Sequence, residues 1–105
     1  FLGNSLEDLR AFPDDPRREA GYQVDVLQRG GTPDDFKPVA VAGSGVHEIR
    51  LRDGSGQFRV LYVAKFAEAI YILHCFQKKT RKISKRDLDL AAKRYCALLK
   101  ERKNE

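Results

Sequence analysis

At 105 residues, 42% hydrophobic and 33% charged, the chain is long enough for one compact domain with one core and short for two. Its 20 basic and 15 acidic residues give a formal net charge of +5, and the two cysteines and two histidines have no paired or metal-ligand spacing, which argues against a disulfide framework and a zinc site. No apolar run is long enough to span a bilayer and the start lacks a leader pattern, so the expectation is a cytoplasmic single domain over 1–105 with no membrane, metal or cofactor.

The chain opens on Phe1 rather than Met, and "FLG" is read as the end of a first strand whose earlier residues are missing. Ser5 followed by Asp8 forms a capping pair, and Leu6 and Leu9 share a helical face until Pro13 closes the segment. In "DDPRREAGYQVDVLQRGG", Asp15 caps and Pro16 takes the first helical position. Ala20, Val24 and Leu27 recur on one face, and Gly30 and Gly31 end the helix. A helical hairpin is the result. "TPDDFKPVAVAGSG" has two prolines, two glycines in its tail and no period, so it reads as an irregular connection pinned to the core by Phe36 and by Val39 or Val41.

The pattern then changes to period two. "VHEIRLR", "QFRVLYVAK" and "EAIYILHCF" are rich in branched and aromatic residues, separated by "DGSG" and by a turn near Phe66 to Glu68, and they predict an antiparallel meander. Ser84 with Asp87 is another capping pair, and Leu88, Ala91, Ala92, Tyr95, Leu98 and Leu99 form an apolar helical stripe. The expected fold is α+β: an N-terminal helical hairpin and a C-terminal helix packed on one face of a small, mainly antiparallel, three- to four-stranded sheet.

Strand alternation assigns the faces. In "VHEIRLR", His47, Ile49 and Leu51 point toward the helices, leaving Glu48, Arg50 and Arg52 on the open face. In "FRVLYV", Arg59 falls among apolar neighbours, where it needs a partner, and Glu48 across the strands is one. His74, Cys75, Cys96 and Tyr95 sit in apolar patterns and are read as core residues.

The densest signal is "FQKKTRKISKRD", with six lysines and arginines between residues 78 and 86 and no acid before Asp87. Lys78 and Lys79 leave the sheet's end, while Arg81, Lys82, Lys85 and Arg86 carry the charge into a loop and a first helical turn. There bases oppose the helix dipole, so local helix energetics does not account for them. Such a field suits phosphates, anionic lipid or an acidic protein segment, and composition does not choose among them.

From "GVHEIRLR" to "DLAAKRY" the order of features resembles the RelE/ParE toxin superfamily, in its phage-derived HigB-like branch. The branch pairs an "EIR" strand with "RVLY", a strand ending "LHxFxKKT", and a last helix carrying "AxxR", here Ala91 to Arg94. "DLRAFPDDPRREAGYQVDVLQRG" and "DFKPV" fit it as well. The resemblance implies a RelE-like fold and the toxin of a bacterial type II toxin–antitoxin pair. It further implies a metal-independent, ribosome-dependent mRNA endonuclease, silenced by a HigA-like helix-turn-helix antitoxin and meeting operator DNA only through that antitoxin. Carried over by position, the catalytic set is Arg50, Arg59, Lys78 and Lys79 with Glu48, and the RNA- or ribosome-binding set is Arg52, Thr80, Arg81, Lys82, Lys85 and Arg86. The tyrosine that RelE-type toxins carry near the chain's end has no counterpart, because Tyr95 belongs to the core stripe. Two other readings remain open: a ParE-like toxin that inhibits gyrase, and a non-catalytic RNA- or partner-binding module.

Overall fold

A computed structural model describes residues 1–103. Three α-helices, α1 (Ser5–Arg10), α2 (Asp14–Gln28) and α3 (Lys85–Lys103), accompany a four-stranded antiparallel sheet in the order β1 (Phe36–Pro38), β2 (Val46–Asp53), β3 (Gly56–Val63), β4 (Tyr71–Lys78). The α+β class and the antiparallel meander are as expected. The fourth strand is β1, which pairs Lys37 with Glu48 along the edge of β2. Its three residues and its proline show no period, which is why the connection reads as irregular in the sequence. Val39 and Ala42 pin that connection to the core, whereas Phe36 and Val41 are exposed.

The helices occupy both faces of the sheet, correcting the expectation of one. On the first face Ile49, Leu51, Phe58, Val60, Tyr62, Ile72 and Cys75 meet Leu9, Phe12, Ala20, Val24 and Leu27 of the α1–α2 hairpin. On the other, Val46, Leu61, Val63, Leu73 and Phe76 meet Ala91, Tyr95 and Leu98 of α3. The reason lies in β3, where both sets of alternating residues are apolar at the Val63 end, so the sheet has two apolar surfaces to cover. Only one of them is apolar along its whole length.

Local chemistry sets the helix ends. Gly30 takes φ +83°, and Gly31 N–H donates to Val26 O at 2.9 Å, closing α2 in a Schellman turn. At α3, the Asp87 N–H donates to Ser84 Oγ at 3.1 Å and the Ser84 hydroxyl donates to Asp87 Oδ2 at 2.7 Å, as the capping pair predicts. The other two expected caps do not form. Ser5 lies inside α1, buried, and its hydroxyl donates to Ile72 O at 3.3 Å. Helix α2 begins at Asp14, so Pro16 takes the third position rather than the first and Asp14 pairs with Arg17. "FLG" forms no strand; Leu2 N–H donates one bond, to Ile72 O at 2.9 Å.

Two core assignments divide. Tyr95 is buried and its hydroxyl donates to Ser44 O at 2.6 Å, with Gly43 so close beneath the ring that a Cβ there would overlap it. Cys75 is buried, its thiol pushed up to about 12 by desolvation, whereas Cys96 is exposed on α3 and is not a core residue.

Candidate functional site

Helix α3 covers only part of its face. The row Glu48, Leu61, His74 runs across the sheet, followed by Arg50, Arg59, Phe76, of which Phe76 still belongs to the α3 cluster, and then by Arg52, Gln57, Lys78. The hairpin places Arg50 directly opposite Arg59, a like-charge cross-strand pair that destabilises a sheet on its own account. Glu48 lies within 3.7 Å of Arg59, and Asp35 within 3.8 Å of Arg50, and these carboxylates offset the repulsion.

Arg59 is the centre of this surface. It is 3% exposed; its Nη1 donates to Phe58 O at 2.9 Å and its Nη2 to Gln57 Oε1 at 3.2 Å. The remaining donor, Nε, faces Glu48 Oε2, yet neither atom has a hydrogen-bond partner. Burial lowers the Arg59 pKa, with Arg50 and Arg52 acting in the same direction and Glu48 opposing them. A buried pair whose charges are apart and incompletely bonded contributes little to stability and leaves the Arg59 Nε–H unsatisfied.

Lys78 joins the same face from β4. Partial burial lowers its pKa, and the neighbouring cations Arg59, Arg50 and Lys37 lower it further, against the pull of Glu48. Lys37 itself was missed in the sequence. It stands opposite Glu48 in β1 without closing a salt bridge among the described residues, and the absence of period in "DFKPV" hides the strand that carries it. Gln57 was also passed over, although its alternation with Arg59 was visible in "QFR".

The structure therefore brings Glu48, Arg50, Arg52, Arg59 and Lys78 together. Lys79 lies one residue past the end of β4 and, like Lys78, lines a groove of about 680 Å3 between α1, the β4 edge and the start of α3. Thr80 and Arg86 line the same groove. The Thr80 hydroxyl donates to Lys82 O at 2.5 Å and so shapes the turn, with Arg81 and Lys82 exposed on it, and Lys85 and Arg86 form the first turn of α3. Asp87 fixes this end of the helix to the sheet: while Oδ2 takes the Ser84 hydroxyl, Oδ1 lies 2.7 Å from His74 Nε2. His74 is a buried, partnered histidine stacked on Phe76 at 4.9 Å, as its apolar surroundings predict.

The family model of phage derived protein Gp49-like (DUF891) matches residues 7–96, which include most of α1, all of α2, the whole sheet and most of α3. The chain belongs to this family. Gp49-like proteins are associated with RelE-like toxins of toxin–antitoxin systems, so the family implies an antitoxin as partner. No curated protein and no solved structure matches the chain. Every residue of the basic face in this Gp49-like chain lies within the matched segment. Among the described residues no helix is long and apolar enough to cross a membrane, and no three His, Cys, Asp or Glu side chains are grouped to hold a metal ion.

Proposed function

We propose that this Gp49-like chain is the toxin of a type II toxin–antitoxin pair and cleaves mRNA on the ribosome by attack of a ribose 2′-hydroxyl on the adjacent phosphate. The observation that supports the reading most is the opposed pair Arg50 and Arg59 beside a lysine of lowered pKa, with Arg59 buried and Arg50 and Lys78 half-buried around it on one half of a sheet face. Two guanidinium forks match the charge that develops on the equatorial oxygens of the phosphorane. Lys78, neutral in a larger fraction than an ordinary lysine, takes the proton of the 2′-hydroxyl as the 2′-oxygen bonds to phosphorus and the bond to the 5′-oxygen breaks, the leaving 5′-oxygen taking a proton from water. Glu48 serves as the counter-charge that keeps Arg59 in place.

Arg52 and Lys79 then hold flanking phosphates, and Arg81, Lys82, Lys85 and Arg86 form the docking margin toward ribosomal RNA, with Thr80 holding the turn. The silencing partner is a HigA-like helix-turn-helix antitoxin, and operator DNA is reached through it alone. A cytoplasmic site of action follows from the ribosomal target.

A translation-coupled cleavage assay tests the proposal. Transcripts are cut by the wild-type protein and left whole by Arg59→Ala combined with Lys78→Ala. With Lys78 as base, the rate climbs with pH as the amine loses its proton and levels at a pH below the range of an ordinary lysine, and Lys78→Gln abolishes the climb. Intact transcripts with wild-type protein would overturn the nuclease. A loss of supercoiling activity in a gyrase assay would replace it with the ParE-like reading, and salt-sensitive RNA binding without cleavage with the binding module.

A further inference from the structure

Arg59 has five N–H donors and three neighbours that compete for them. Phe58 O is backbone and fixed, so it does not choose how the fork is turned. The choice lies between two side chains. Gln57 Oε1 accepts from Nη2 at 3.2 Å, while the Glu48 carboxylate stands 3.7 Å from Nε, too far for a hydrogen bond, with both of those atoms unpartnered.

Position 57 has an unusual setting. Its cross-strand neighbours are Arg52 in β2 and Lys78 in β4, and Arg59 follows two residues on along the same face. The side chain is ringed by cations, none of which accepts a hydrogen bond. An amide there accepts from Arg59 without cancelling the positive field, as a carboxylate would. Gln57 is also exposed, so its contact draws the guanidinium toward the open half of the face and away from the covered half. Without that acceptor, Glu48 is left as the adjacent side-chain acceptor. Closing the 3.7 Å gap to a bonded pair then withdraws Nε and one Nη from a phosphate.

We propose that Gln57 is the positioning residue of the basic face, holding the Arg59 guanidinium off Glu48 and open to phosphate. This rests on the RNA-cleaving reading of the same surface. The variant Gln57→Met keeps length and removes the strong acceptor at an exposed strand position. It is expected to lower kcat about tenfold with KM nearly unchanged, since one oriented donor is lost in the transition state. Adding Glu48→Gln removes the competing charge and restores most of kcat. A direct readout accompanies the kinetics: the Arg59 Nε–H resonance shifts downfield in Gln57→Met, as Nε bonds Glu48, and returns in the double variant.

Unchanged kcat in Gln57→Met overturns the inference, whether or not the resonance moves, provided that wild-type protein cleaves. A fall in kcat that the double variant does not rescue overturns it too. Where wild-type protein does not cleave, the proposed function fails by itself. The resonance then decides the contact: a shift in Gln57→Met that returns in the double variant sustains Gln57 as the residue orienting Arg59, and no shift overturns it.

Discussion

Two halves of one sheet face differ in almost every property that matters. Under α3 the face is Val46, Leu61, Val63 and Leu73, buried against Ala91, Tyr95 and Leu98. Farther along the same strands it is Arg50, Arg52, Gln57, Arg59 and Lys78, with Phe76 beside them as the last residue of the α3 cluster. The strand β3 passes through both, and its alternation never breaks the rule that neighbours point to opposite sides. What changes is the cover. Because α3 is fixed at its start by Asp87 to His74 and farther along by Tyr95 to Ser44, its apolar contacts on this face reach no farther than the row Arg50, Arg59, Phe76, and there only through Phe76. Of the three buried unpartnered side-chain atoms among the described residues, the two outside Arg59, Glu48 Oε2 and His74 Nδ1, belong to the row Glu48, Leu61, His74.

The most drastic way to break the comparison is to make the open half resemble the covered one. Arg59→Met alone leaves Glu48 buried without its counter-charge and is expected to cost about 3 kcal/mol of stability as well as all cleavage. Glu48→Leu combined with Arg59→Met removes both charges; stability returns to the wild-type level or above it, while cleavage stays absent. Urea denaturation read beside the cleavage assay separates the two effects. If the double variant is as unstable as the single one, the pair is a structural element and the half-face is not built around an available arginine.

A smaller effect comes from moving the boundary itself. Ser84→Ala removes the helix cap and is expected to lower stability by about 1 kcal/mol. Asp87→Ala loses the cap and the His74 contact together, and is expected to cost about 2 kcal/mol. The difference between the two denaturation midpoints measures what ties α3 to β4. Equal losses would mean that His74 does not hold the helix.

How far the sequence foretold this follows from the same comparison. Alternation in "VHEIRLR" and "QFRVLYV" showed which residues share a face, so Glu48, Arg50, Arg52 and Arg59 were legible as a group. Lys78 was legible through its place at the end of a strand, and Lys79, its neighbour, lies just past that end beside a groove that both line. Alternation carries no information on which side a distant helix will take, and so α3 was set on the wrong face. A capping pair was readable only where nothing else claimed the serine: Ser84 caps, but Ser5 is drawn to the Ile72 carbonyl by burial. Cys96 shows the same limit, since a helical stripe drawn too broadly takes in a residue at its exposed margin. Contacts made across long separations, such as Asp87 with His74, have no periodic trace at all.

Lys37 gives the gentlest test, because it sits at the far edge of the open half. It lowers the Lys78 pKa through its charge, yet forms no ion pair with Glu48 opposite it. A cation so placed adds to the field that attracts a backbone phosphate without touching the reacting one. Lys37→Ala is therefore expected to weaken binding of a single-stranded RNA a few-fold, uniformly across sequences, and to move the climb of rate with pH upward as Lys78 loses a neighbouring cation. The slope of log K against log salt should become shallower by about 0.7, the value for one phosphate contact on a single strand. Fluorescence anisotropy at several salt concentrations measures the binding and its slope. An unaltered slope would confine the phosphate-binding surface to β2, β3 and β4, and the short strand β1 would then serve only to close the sheet's edge.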